Sequence, residues 1–279
     1  MTSSLLHIRA RPSQVAGLPI RRILPSAAKQ MVGPFIFMDQ GGPIDVQRTG
    51  GGGVPEHPHA GLATFTYSMA SSQLHRDSAG HTAVIAAGDI ALMTAGRGIT
   101  HEELPDPDDT SQTTTVHFAQ MWLALPDDNE DMAPAFELHK KDNLPVVTLG
   151  AGCVRVAMGR AYGVEAPTTC HTPTLFLDVH VAPGHTLDLP QAEELGVMVL
   201  KGDGRLDDEV LQPHDLYVLQ EPEKSGRLSS TNGLRALVFG GDRFSSPRVI
   251  GGSFVASSRP KLQQWMQEAR QGRWPRIQR

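Results

Sequence analysis

The 28 glycines and 21 prolines of this 279-residue chain are spread along its whole length and cut it into short apolar runs. Glycine supplies positive φ and proline a fixed φ, so such punctuation marks turns at close intervals. Long helices cannot develop between stops this frequent, whereas short strands can. Side chains alternate in Leu62-Ala-Thr-Phe-Thr-Tyr-Ser-Met69, with Leu62, Thr64, Thr66 and Ser68 opposing Ala63, Phe65, Tyr67 and Met69. A turn follows at Asp77–Gly80, then strands near Thr82–Ile85 and Ile90–Met93 on either side of a Gly88-Asp89 turn. Thr114–Leu125 is expected as a long strand with Val116, Phe118 and Trp122 on one face. The chain therefore reads as all-β.

Pro126-Asp-Asp-Asn-Glu-Asp131 interrupts this texture, and its acidic composition predicts a solvated loop and a domain boundary. Beyond it the rhythm resumes at Thr174–Val181, Gly196–Leu200, Asp215–Leu219 and Leu234–Phe239. The shared strand, Gly-Asp turn, strand pattern suggests an internally duplicated barrel, with domains at 1–130 and 131–279. One helix is expected near the C-terminus over 258–272, capped by Ser258, with Pro260 in its first turn and Gly272 at its end. Leu262, Trp265, Met266 and Ala269 form its apolar stripe, to be docked on the outside of a barrel.

Two histidine clusters carry the chemistry. His57-Pro-His59 and His101-Glu-Glu103 each place potential ligands at i and i+2, on one face of a strand. If the strands are neighbours, three imidazoles and the carboxylate of Glu103 converge, while Glu102 points to the opposite face. That donor set suits a divalent transition metal with open coordination positions. Gly50–Gly53 and Gly61 flank the first cluster and Gly96 and Gly98 the second, where they would leave room around a ligand site. The second half holds His171, His180, His185 and His214 without such a pattern, and they are expected to be ordinary surface or core histidines.

A net charge of −5 offers no field for a polyanion, so direct nucleic-acid binding is not expected. Cys153 and Cys170 are expected as free thiols. The N-terminal residues lack the apolar run of a signal peptide, and no run of about 18 apolar residues predicts a membrane span, so the expected location is the cytoplasm.

His57-Pro-His59-x-Gly61, His75-Arg-Asp-Ser78, Gly88-Asp89 and above all Met93-Thr-Ala-Gly-Arg-Gly-Ile-Thr-His101-x-Glu103 resemble the pirin family of the cupin superfamily. The resemblance extends through Phe118–Pro126, Leu177–Gly184 and Phe239–Gly241 to the C-terminal helix. It implies two jelly-roll-like cupin barrels facing each other, with metal in the N-terminal barrel alone. It also implies Fe(II), or another divalent transition metal, on His57, His59, His101 and Glu103. The implied activity is quercetin 2,3-dioxygenation, with a flavonol and O₂ as substrates and Glu103 as catalytic base. Met93 and Phe65 are then expected as pocket walls. The alternative that the resemblance implies is a non-enzymatic, iron-dependent regulator binding a transcription factor or a metabolic enzyme. A cupin isomerase or decarboxylase fits less well, because its carboxylate is expected where Ala63 stands. The family's HPHRGFE motif loses its arginine and glutamate to Ala60 and Ala63, which puts charge support around the ligands in question. Toward the C-terminus, Gly241-Asp-Arg-Phe244 replaces the family's GEP-type segment.

Overall fold

The computed structural model describes residues 5–47, 53–150, 152–219 and 226–278; Gly50, Gly51 and Gly52 lie outside them. Strands dominate, and the one α-helix among the described residues is Arg259–Arg270. Contacts divide the chain into two units, one of residues 12–21, 37–141 and 244–279, the other of 1–11, 22–36 and 142–243.

Each unit builds a seven-stranded and a four-stranded sheet. In the first, the large sheet runs Ala135–His139, Ile90–Thr94, Leu62–Ala70, Thr113–Ala124, Phe35–Gln47, Leu18–Leu24, Arg11–Val15. Its small sheet runs Val54–His59, Ile99–Pro105, Gln73–Asp77, Thr82–Ile85. The second unit repeats this order: Leu5–Ile8, Leu216–Leu219, Glu194–Gly202, Leu234–Gly241, Thr174–Val181, Gly152–Met158, Val146–Leu149. Its small sheet is His185–Asp188, Arg227–Ser230, Gly204–Leu206, Glu209–Leu211. Strand for strand the topologies match, with one exchange at the edge, where the N-terminal Leu5–Ile8 takes the place that Ala135–His139 holds in the first unit. The duplication suggested by rhythm alone is thus a duplication of pairing order.

The two interiors differ. In the second unit the small sheet contributes Leu187, Leu206, Leu211 and Leu228 to one buried apolar cluster with Val156, Leu177, Val197 and Tyr217. Each such leucine is worth roughly 1.5–3 kcal/mol on burial. In the first unit, strand Thr113–Ala124 buries Ala119, Met121 and Leu123, whereas Phe118, Gln120 and Trp122 on its other face stay half-exposed. That face looks toward the histidine clusters.

In the acidic segment after Pro126, Asp127, Asp128 and Asp131 are exposed as expected of a solvated loop, but Glu130 is buried and the segment also serves as an anchor. The guanidinium of Arg248, 2% exposed, donates to the Leu125 carbonyl at 3.0 Å and to Asp127 at 2.5 Å. Glu130, 1% exposed, accepts from the Ser257 amide, the Ser257 hydroxyl (2.8 Å) and Lys261 Nζ (2.9 Å), and Asp131 pairs with the same lysine. Buried ions need such partners. These bonds tie the C-terminal segment to residues of the first half, so the helix groups with them and not with the strands of residues 142–243.

The helix itself follows its sequence signals. Ser258 Oγ accepts from the Lys261 amide, proline lies in the first turn, and Gly272 follows the end at φ +70°. Leu262 and Trp265 are buried against Ala60, Phe254 and Ala256, with Met266 and Ala269 packed around them. Cys153 and Cys170 are free thiols. No helix among the described residues is long and apolar enough to cross a membrane.

Candidate metal centre

The small sheet of the first unit pairs its two histidine strands directly. Ile99 lies opposite His59 and His101 opposite His57; a bulge then sets Glu103 opposite Val54. On the other side of the same strand, His101 faces Asp77, Glu102 faces Arg76 and Glu103 faces His75. Period two therefore puts His57, His59, His75, Asp77, His101 and Glu103 on one face of three adjacent strands. Glu102 lies on the other face, 5% exposed and 3.6 Å from Arg76 Nη1.

His57, His59 and His101 offer ligand atoms that all lie within 4.8 Å of one another. Nε2 of His57 and Nε2 of His101 are 2.9 Å apart. Metal–nitrogen bonds of about 2.1 Å at a right angle span about 3.0 Å, so this separation fits one edge of a coordination polyhedron. Two lone pairs that close repel one another, and a shared cation relieves the repulsion.

The outer nitrogens support the same conclusion. His57 Nδ1 donates to the Pro55 carbonyl at 2.8 Å and His59 Nδ1 to the Ser253 carbonyl at 2.9 Å. A carbonyl can only accept, so the proton sits on Nδ1 in both rings and Nε2 keeps its lone pair. His101 Nδ1 lies 3.4 Å from His75 Nδ1. Burial pushes the His59 imidazole down to about 3, helped by the neighbouring His57 and opposed by the bond to Ser253. Burial likewise lowers His57, and it holds His101 well below its ordinary value together with the nearby His59, His57 and His75. Neutral imidazoles are what a metal requires. The residues present fit a divalent transition metal.

Glu103 is half-buried, with Oε1 3.5 Å from Gln73 Nε2. Desolvation raises its carboxyl to about 7, the Gln73 bond opposing weakly. The cluster of mutually close ligand atoms comprises the three histidines; Glu103 stands beside it on the same face.

Packing assigns the other expected residues. Trp122 meets the His59 ring at 5.2 Å between centroids and stacks on Phe37 at 4.2 Å. Thr64 lies opposite both Trp122 and Met93, so Met93 shares the site face. Phe65, paired with Leu92 and Met121, is on the reverse face and is no wall of this site. Ala60 and Ala63 are also turned away. Ala60 lies fully buried among Phe254 and Trp265, and Ala63 shares the reverse face with Phe65. Their loss of charge leaves every Nδ1 contact intact, because those contacts come from Pro55, Ser253 and His75. The flanking glycines make room for structure behind the ligand strands. A Cβ on Gly61 would meet the Val255 carbonyl and Trp265, and one on Gly98 would meet Trp274.

His75 and Asp77 join the expected residues on this face, and His75-x-Asp77 carries the same period-two signature as the two clusters. Asp77 accepts from His75 Nε2 (3.2 Å), His81 Nδ1 (2.9 Å) and the amides of Ala79 and His81. Burial alone would raise its carboxyl, but these bonds from His75 and His81 hold it below its ordinary value. Ser253 and Trp122 reach the site from far along the chain, and nothing local in the sequence signals it.

Comparison with known proteins gives a consistent result. A family model described as Pirin matches residues 17–123, and one described as the Pirin C-terminal cupin domain matches residues 176–275. A Pseudomonas aeruginosa protein provisionally named a quercetin 2,3-dioxygenase is 33% identical over 261 residues, covering 92% of this chain and 81% of that protein. The crystal structure of a quercetin 2,3-dioxygenase from Acinetobacter baumannii superposes with a TM-score of 0.90 at 30% identity, covering 98% of this chain and 91% of that one. The bacterial pirin YhhW of Escherichia coli, solved with nickel(II), shares the fold at a TM-score of 0.67 and 15% identity, covering 86% of this chain and 100% of its own.

Proposed function

Because the chain belongs to the pirin family, we propose that it is a metal-dependent dioxygenase of the quercetin 2,3-dioxygenase type, opening a flavonol ring with O₂. The observation that carries this reading is the convergence of three imidazoles, with the Glu103 carboxyl on the same strand face. His57, His59 and His101 hold the metal, taken as Fe(II), and Glu103 is its fourth ligand. Bound there, a divalent metal supplies Lewis acidity and one-electron exchange.

The chain's own residues do the rest. Glu103, on the same strand face as the three imidazoles, is placed to accept the phenolic proton. Half-exposed Phe37, Phe118 and Trp122 present aromatic faces on the site side of the large sheet, suited to stacking on a flat substrate. The alternative of a regulator without turnover rests on the family resemblance, and Ala60 and Ala63 add nothing to it, because both lie away from the ligands.

The test is to load the protein with Fe(II) without oxygen, add quercetin and O₂, and follow loss of the flavonol absorbance together with carbon monoxide release. Turnover above a metal-only blank is expected. Near-stoichiometric bound metal with no loss of flavonol beyond that blank would overturn the dioxygenase reading.

A further inference from the structure

Of the three histidines, His57 and His59 take their tautomer from backbone carbonyls, which cannot switch roles. His101 is different. Its Nδ1 faces another imidazole, the Nδ1 of His75 at 3.4 Å, and either ring can in principle donate.

The surroundings of His75 decide between the two. The ring is 3% exposed and lies flat on Phe136, with centroids 4.3 Å apart and an interplanar angle of 15°. Its other nitrogen, Nε2, is 3.2 Å from Asp77 Oδ2. The Asp77 side chain is fully buried and is already oriented by the amides of Ala79 and His81, which donate to Oδ1 at 2.9 and 3.0 Å. A carboxylate there can only accept, so a neutral His75 carries its single proton on Nε2. Its Nδ1 is then an acceptor. His101 must in turn place its proton on Nδ1 to meet it, which leaves His101 Nε2 with a lone pair aimed toward His57 Nε2, 2.9 Å away. In the opposite arrangement His75 donates from Nδ1 and the His101 proton moves to Nε2, where it meets His57 Nε2 and blocks the ligand atom; that neutral bond is gained at the loss of the His75 bond to the buried Asp77 carboxylate, and a bond to an ionised acceptor is the stronger of the two.

We propose that Asp77 and His75 form a positioning dyad that sets the tautomer of His101 and thereby makes its Nε2 available to a metal. The proposal rests on the metal-centre reading above, but the tautomers exist without metal and are tested without it. Partners of this kind usually change metal affinity by about 10- to 100-fold.

Long-range proton–nitrogen NMR on the metal-free, ¹⁵N-labelled protein distinguishes Nδ1–H from Nε2–H for each ring. In the wild type, His75 is expected as Nε2–H and His101 as Nδ1–H. Asp77→Asn, which can turn an amide donor toward His75, is expected to reverse both and to weaken Zn(II) binding by about 10- to 100-fold in chelator competition. A second pair guards against a folding defect. His75→Phe keeps the stack on Phe136 but has no acceptor and should lose Zn(II) affinity by a similar factor. His75→Asn puts a carbonyl oxygen near the position of Nδ1 and should recover most of it. His101 found as Nε2–H in the wild type overturns the proposal. So does unchanged Zn(II) affinity in both Asp77→Asn and His75→Phe, or a His75→Asn no better than His75→Phe. If the wild type binds no Zn(II) while its tautomers are as expected, the metal-centre reading fails and the dyad's hold on His101 stands.

Discussion

Replacing Glu103 with Gln should make the metal-free protein more stable at neutral pH while weakening its hold on metal. The carboxyl sits at about 7 in the folded chain against a usual value of 4.5. Below pH 4.5 the group is protonated in folded and unfolded chains alike, and glutamate and glutamine behave similarly. As pH rises, the unfolded chain ionises freely while the folded chain resists, so the wild type loses stability through the window from 4.5 to 7. A difference of 2.5 units at 1.36 kcal/mol each is about 3 kcal/mol, an upper limit because the half-buried side chain is partly screened by water. Urea unfolding of both proteins at pH 4.5, 6 and 8 measures this directly, since the other titrating groups cancel in the difference. The advantage of E103Q should grow from near zero at pH 4.5 to a plateau above pH 7. Saturating Zn(II) should reverse the order, because ligand binding stabilises the tighter binder more. A pH-independent difference would falsify the desolvated carboxyl.

His101→Ala should lose stoichiometric metal after dialysis, and a variant retaining full metal content refutes the ligand assignment. Trp122→Ala should raise the quercetin KM about fivefold at unchanged metal content, the loss of one stacking contact of about 1 kcal/mol; an unchanged KM removes Trp122 from the binding face. Glu130→Ala leaves the Ser257 amide without its buried acceptor and Lys261 with Asp131 alone, and should cost about 2 kcal/mol, seen as a lower unfolding midpoint and earlier proteolytic release of the C-terminal segment. If the segment is cut no faster than in the wild type, the acidic loop is not its anchor.

What local chemistry governs was legible in the chain itself. Turn residues and alternation gave the strands, a serine cap and an apolar stripe gave the one helix, and period two brought His57, His59, His101 and Glu103 to one strand face while turning Glu102 away. These depend on backbone geometry within a few residues, which neighbours in sequence dictate. Other features depended on contacts between distant residues. The acidic run at 127–131 has a loop's composition, yet Arg248 and Lys261 convert it into an anchor from more than a hundred residues away. Ala60 and Ala63 remove two charges from the family motif, yet packing turns both from the ligands. Composition cannot distinguish Phe65 from Met93 as pocket walls; only the register of strand against strand puts one on the site face and the other behind it. The same holds for the nitrogens. The sequence by itself determined which imidazoles share a face, but which nitrogen of each bears the proton is decided by Pro55, Ser253 and His75, and the latter two reach the ligands only through tertiary folding. A hydrogen bond acts over about 3 Å, and only the folded chain determines which groups come that close.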